Sequence, residues 1–90
     1  MSNDNKILSK NLKYYRFKHN FSQETLAEKS GFSRNYISDL ENAKCNPSLN
    51  TLTSLANALN IKTYVLLKPI QTNNMPTTRI DIYRKKFNKE

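Results

Sequence analysis

Gly31 is the single glycine of this 90-residue chain, and it separates two short stretches whose apolar residues recur at helical spacing. A residue without Cβ takes φ > 0 at little cost, which makes it the natural pivot where one helix must bend sharply into the next. Upstream, Ser22 offers a hydroxyl to cap a helix running to about Ser30, and Glu24 suits its positive N-terminal end. Downstream, Ser33 repeats the capping arrangement. Ile37 and Leu40, three apart, then put an apolar stripe on one face of a further helix, leaving Arg34, Asn35, Ser38 and Asp39 on the other. Ala27, four residues before the glycine, is small enough for two helices to approach to the ~8 Å end of interhelical distances. The stretch 23–42 therefore predicts two short helices locked together at a tight turn.

The flanking sequence supplies the rest of a core. Leu8, Leu12, Tyr15 and Phe17 recur at helical spacing, with Lys6, Lys10, Lys13 and Arg16 between them, and predict an amphipathic first helix over residues 6–18. His19, Asn20 and Phe21 break the period. Residues 42–47 have turn composition, and Ser48 can cap a fourth helix whose Leu49, Leu52, Leu55, Ala56 and Leu59 are spaced for burial. Four helices around one core account for residues 6–60, an all-α domain.

Beyond Asn60 two readings stay open. Residues 61–68 fit a short closing helix, but Lys62 is a poor N-cap and no acidic residue follows it. Thr63, Tyr64 and Val65 favour extended structure, and Ile61, Thr63, Val65 and Leu67 alternate with Lys62, Tyr64, Leu66 and Lys68. The balance leans toward a strand, whose unpaired edge is most simply satisfied by the same strand of a second copy. Residues 69–78 read as a linker. Residues 79–87 end in a basic run that fits a second strand, a basic arm or a disordered tail, with disorder the default. The division expected is a domain over 1–68 followed by a linker and basic tail over 69–90.

The formal charge of +8 and a pI near 9.8 favour a polyanionic partner, for which nucleic acid and membrane surfaces compete. No apolar run approaches the ~20 residues needed to span a bilayer. The first five residues lack the basic-then-apolar pattern of a signal peptide, so a cytoplasmic protein is expected. The charge is uneven. Residues 1–21 carry five basic side chains against one acidic, residues 22–60 three against four, and residues 61–90 seven against two. Basic flanks around a nearly neutral centre suit phosphate attraction from the flanks and discriminating contacts from the centre. One cysteine, Cys45, and one histidine, His19, give neither a disulfide nor a zinc ligand set. No glycine-rich phosphate loop or activated nucleophile can be assembled, so no enzyme, metal or cofactor is expected.

Residues 12–59 resemble the Cro/CI-type, or XRE-like, helix-turn-helix family of phage repressors and bacterial regulators. The match is carried by Phe21-Ser22-Gln23-Glu24-Thr25-Leu26-Ala27, Gly31-Phe32-Ser33-Arg34-Asn35-Tyr36-Ile37-Ser38, Leu40-Glu41 and Asn46-Pro47-Ser48-Leu49 with Leu52. The resemblance implies a lambda-repressor-like domain of four to five helices that places its third helix in the major groove, usually as a dimer on a two-fold symmetric operator. It implies base readout by Arg34 and Asn35, with Ser38 and Asp39 one turn further, since arginine suits guanine, asparagine adenine, and a carboxylate cytosine N4. It implies for Gln23 a phosphate contact that can also support base readout, and for Arg16 and Glu41 a structural pair in which Arg16 can also face the DNA backbone; Ser33, Tyr36, Asn42 and Lys44 are the further backbone contacts expected. The family usually has glycine after the third helix, where this chain has Ala43; either Asn42 takes the left-handed role or the loop follows a different path. The function implied is a sequence-specific, homodimeric transcriptional regulator of double-stranded DNA, most plausibly a repressor. A restriction-modification controller would use the same fold as an activator. A looser similarity of residues 60–68 to HipB-like antitoxins gives the alternative, a protein that neutralises a toxin and autoregulates its operon.

Overall fold

The structure, a computed structural model, describes residues 3–70. Four α-helices are present: α1 (Asn3–Lys18), α2 (Gln23–Ser30), α3 (Arg34–Glu41) and α4 (Leu49–Ala58). A 3₁₀ helix, Thr63–Leu67, closes the domain. Three of the four helices begin alike. Ser22, Ser33 and Ser48 each stand at an N-cap in extended conformation, and each hydroxyl accepts from the N–H three residues on, at Thr25 (3.0 Å), Tyr36 (3.1 Å) and Thr51 (3.2 Å). These hydroxyls satisfy donors that a helix start otherwise leaves to water.

All four α-helices end alike too. A left-handed residue follows each: Asn20 (φ 62°), Gly31 (φ 85°), Ala43 (φ 58°) and Asn60 (φ 58°). The N–H one position further on then reaches back five residues: Phe21 to Arg16 (3.0 Å), Phe32 to Ala27 (3.0 Å), Lys44 to Asp39 (2.9 Å) and Ile61 to Ala56 (2.9 Å). This is the Schellman closure, for which glycine and asparagine are the favoured residues. Ala43 departs from that preference. It takes the left-handed position itself, whereas Asn42 stays at φ −103°, so neither alternative, Asn42 in the left-handed role or a different path for the loop, is the one adopted. Asn42 is held where it is because its own N–H and side-chain amide close onto α3, and the Lys44 bond to Asp39 leaves the intervening residue to make the turn.

The core is one cluster drawn from every element. Leu8 and Leu12 of α1 meet Leu26 and Ala27 of α2, Ile37 and Leu40 of α3, Leu52, Leu55 and Ala56 of α4, the following Leu59, and Leu66. His19, stacked on Phe21 at 5.2 Å, places its Nε2 2.7 Å from the Leu59 carbonyl. A carbonyl only accepts, so this nitrogen carries the proton and braces the end of α1 against the end of α4.

The strand expected over residues 61–68 does not form, and no strand occurs among the described residues. The alternation is broken by burial: Leu66, on the lysine-bearing face of the strand reading, has no exposed surface, while Tyr64 is 65% and Leu67 45% exposed. Asn11, itself 1% exposed, explains why. Its Nδ2 donates to the carbonyls of Leu66 (2.7 Å) and Lys68 (2.8 Å), satisfying the carbonyls that a short helix leaves open at its end. At the other end Lys62 supplies no side-chain cap. The turn is thus fixed from the core, by Leu66 and Asn11, and an edge paired across a dimer has no strand to make it. The readings of residues 71–90 as linker, second strand, basic arm or tail lie outside the described residues.

Candidate nucleic-acid interface

α3 is held from beneath by a buried ion pair. Arg16 Nε donates to Glu41 Oε2 at 2.6 Å and Arg16 Nη2 to Glu41 Oε1 at 2.9 Å, a two-pronged contact between side chains only 7% and 2% exposed. Arg16 Nη1 donates to the Phe21 carbonyl at 3.0 Å, and the guanidinium lies 4.6 Å from the centroid of the Phe17 ring. Arg16 is therefore turned inward, with three of its five N–H donors engaged within the fold. A buried pair of this kind adds little net stability, but loss of one partner strands the other charge at a cost of about 3–5 kcal/mol. Gln23 joins the pair, its Nε2 donating to Glu41 Oε1 at 3.0 Å. One carboxylate at the end of α3 thus ties together α1, α2 and α3.

The opposite face of α3 is open. Ile37, Leu40 and Glu41 are buried, whereas Arg34, Asn35 and Asp39 are exposed, with Ser38 and Tyr36 half-buried between. Tyr36 packs edge-on against Phe32 with ring centroids 5.2 Å apart. No side-chain hydrogen bond or ion pair engages Arg34, Asn35 or, just beyond the helix, Lys44 among the described residues. Ser33 Oγ is the cap acceptor for Tyr36 N–H, which leaves its own proton free to donate. Asn42 differs: its Nδ2 donates to the Ser38 carbonyl at 2.9 Å, with the Ser38 hydroxyl at 3.4 Å. A phosphate contact through that amide must compete with bonds already made inside α3. Burial, and then the Asp39 carboxylate beside it, hold the Cys45 thiol above its ordinary value, so Cys45 stays a protonated loop residue.

The arrangement brings Arg34, Asn35, Ser33 and Tyr36 together at one end of α3, Asp39, Asn42 and Lys44 at the other, and Gln23 alongside through Glu41. Sequence reasoning did not find the Gln23–Glu41 bond or the Asn11 clamp. The first joins residues eighteen apart and leaves no local signal. The second has one: Asn11 is a polar residue beside Leu12 on the helix stripe that the core covers.

Two short helices crossing at a left-handed glycine, the second anchored beneath and bare above, define a helix-turn-helix module. Residues 12–66 match the helix-turn-helix family, and the chain belongs to that family, of the XRE type, whose members are DNA-binding regulators rather than enzymes. It is 48% identical over 61 residues to control protein C.SmaI of Serratia marcescens, an alignment covering 68% of this chain and 73% of that protein. The crystal structure of the restriction-modification controller protein C.AhdI from Aeromonas hydrophila matches with a TM-score of 0.70 at 35% identity, over 72% of this chain and 98% of that one. The hypothetical transcription factor NHTF from Neisseria matches with a TM-score of 0.72 at 30% identity, over 88% and 84% respectively. Among the described residues no helix is long and apolar enough to cross a membrane, and no three His, Cys, Asp or Glu side chains gather as metal ligands.

Proposed function

We propose that this chain is a cytoplasmic, homodimeric regulator that reads a double-stranded operator by placing α3 in the major groove. The observation that carries the reading is the contrast across α3: its inner face is fixed by Ile37, Leu40 and the Arg16–Glu41 pair, while Arg34 and Asn35 stand exposed with their donors unspent. In this reading Arg34 and Asn35 contact base edges, with Ser38 and Asp39 reading one turn further. Gln23, Ser33, Tyr36 and Lys44 take the phosphates, with Asn42 the costliest of the backbone contacts because its amide is already engaged. The dimer uses the end of the domain, where Tyr64 and Leu67 expose apolar surface beside half-buried Ile61 and Val65. A domain this small regulates most simply by occluding a promoter, as a repressor.

A second reading is control of a restriction-modification gene set, favoured by the similarity to two controller proteins. The toxin-binding alternative drew on a looser similarity over residues 60–68 that calls for a C-terminal strand, where a 3₁₀ helix stands, and on a tail that lies almost wholly outside the described residues, so no observation favours it. Selection from randomised duplex DNA tests the function. A two-fold symmetric sequence should be enriched and should outcompete a scrambled duplex at both low and high salt. Weak binding that collapses with salt and prefers no sequence would mean that the basic side chains alone are acting. Occurrence of the enriched site upstream of adjacent methyltransferase or endonuclease genes would select the second reading.

A further inference from the structure

Glu41 has a third bond that the ion pair does not need. Its two oxygens accept Arg16 Nε, Arg16 Nη2 and Gln23 Nε2, and the carboxylate is nearly sealed from water. An ionised carboxylate is acceptor-only, so the edge of the Gln23 amide that faces it has to be the NH₂. The orientation of that amide, ordinarily a free choice between two flips, is thereby set by chemistry. One Nε2 hydrogen points into the protein. The other remains unspent on a half-buried side chain at the first position of α2.

We infer that Glu41 is a positioning residue for DNA recognition, holding the Gln23 amide so that one nitrogen bridges two anions: the buried carboxylate and a phosphate of the operator. The inference rests on the DNA-reading function proposed above. Its physical content is pre-organisation. A glutamine on the surface loses rotamer freedom and half of its amide orientations when it engages a phosphate, whereas here that ordering has already occurred in the free protein. Because Glu41 closes α3 while Gln23 opens α2, the same bond also fixes the phosphate contact relative to the reading helix. The pair couples where the backbone is gripped to where the bases are read.

A double-mutant cycle on the duplex enriched by selection tests this. Glu41→Asp keeps the acceptor-only charge but draws it back by one methylene from Arg16 and Gln23 alike, so the cycle with Gln23→Ala, rather than the single variant, isolates the Gln23 contact. Glu41→Asp should weaken binding about threefold to tenfold, the range expected for freeing one ordered side chain, and change binding less than about twofold in a Gln23→Ala background. Arg16→Lys serves as the structural control. It should lower the melting temperature while leaving the Gln23→Ala effect on binding intact. Equal losses from Glu41→Asp with and without Gln23, or no loss from Gln23→Ala, would overturn the inference. A second measurement needs no variant: in the unaltered protein one Gln23 side-chain amide proton should be protected from exchange before DNA is added, and the other should shift as duplex is titrated. Equal exchange of both protons in the free protein would overturn the inference as well. Failure of the selection to enrich any sequence would overturn the DNA reading and this inference with it, whereas an enriched sequence without coupling overturns this inference alone.

Discussion

Residues 22–42 and residues 61–68 are both short segments with modest helical propensity, yet they are held in different ways. The first is specified from within: Ser22 and Ser33 cap its helices, Gly31 makes its turn, and Ala27 and Ile37 face the core at helical spacing. The second has no cap of its own and takes its shape from Leu66 in the core and from Asn11, more than fifty residues away in sequence. Local chemistry determines the reading unit, whereas tertiary contact determines the closing turn.

The sharpest way to break that contrast is to remove the core anchor of the closing turn. Leu66→Ala should destabilise the domain by about 2–5 kcal/mol, as for other large-to-small changes at fully buried sites. Denaturation should remain a single cooperative transition, since Leu66 belongs to the same cluster as Leu12 and Leu55. A loss below about 1 kcal/mol would show that the turn is peripheral to the core. Asn11→Leu comes next. It leaves the Leu66 and Lys68 carbonyls without their donor and should cost about 1–3 kcal/mol in urea denaturation, with hydrogen exchange rising in residues 63–68 but not in α3. On the other side of the comparison, Ser22→Ala removes the cap of α2 and should cost about 1 kcal/mol. Its exchange signature should stay within α2 and its N-terminal turn. Smallest is Ala43→Gly, where relief of a left-handed alanine should raise stability by a few tenths of a kcal/mol to about 1 kcal/mol in thermal melts.

The same division decides what could be read from the residues. The caps at Ser22, Ser33 and Ser48, the pivot at Gly31 and the buried stripes of α1 to α4 follow from neighbours within four residues, with one correction: Leu49, expected in the buried stripe of α4, stands at the first position of that helix and is 69% exposed. The partition of α3 into a buried and an exposed face follows from Ile37 and Leu40 in the same way. Over residues 61–68, where a short helix and a strand both fit, the lean toward a strand comes from β-branched and aromatic residues at 63–65, which favour extension when nothing else acts on them. Here the burial of Leu66 and the Asn11 amide overrule that preference. Ala43 takes the left-handed position for a related reason. Asparagine is the better left-handed residue in isolation, but Asn42 was already committed to closing α3. The Gln23–Glu41 bond needed the folded helices, because nothing in either residue's neighbourhood predicts the other.

Whether the exposed face of α3 reads bases turns first on Arg34. Binding of the intact protein and of Arg34→Ala should be titrated on the enriched duplex and on a scrambled duplex of equal length, at two salt concentrations. A base contact predicts a loss of roughly 1–3 kcal/mol on the enriched duplex, relaxed preference at one base pair, little change on the scrambled duplex and an unaltered salt slope. An equal loss on both duplexes with a shallower salt slope would make Arg34 a phosphate contact and would mean that it does not read bases.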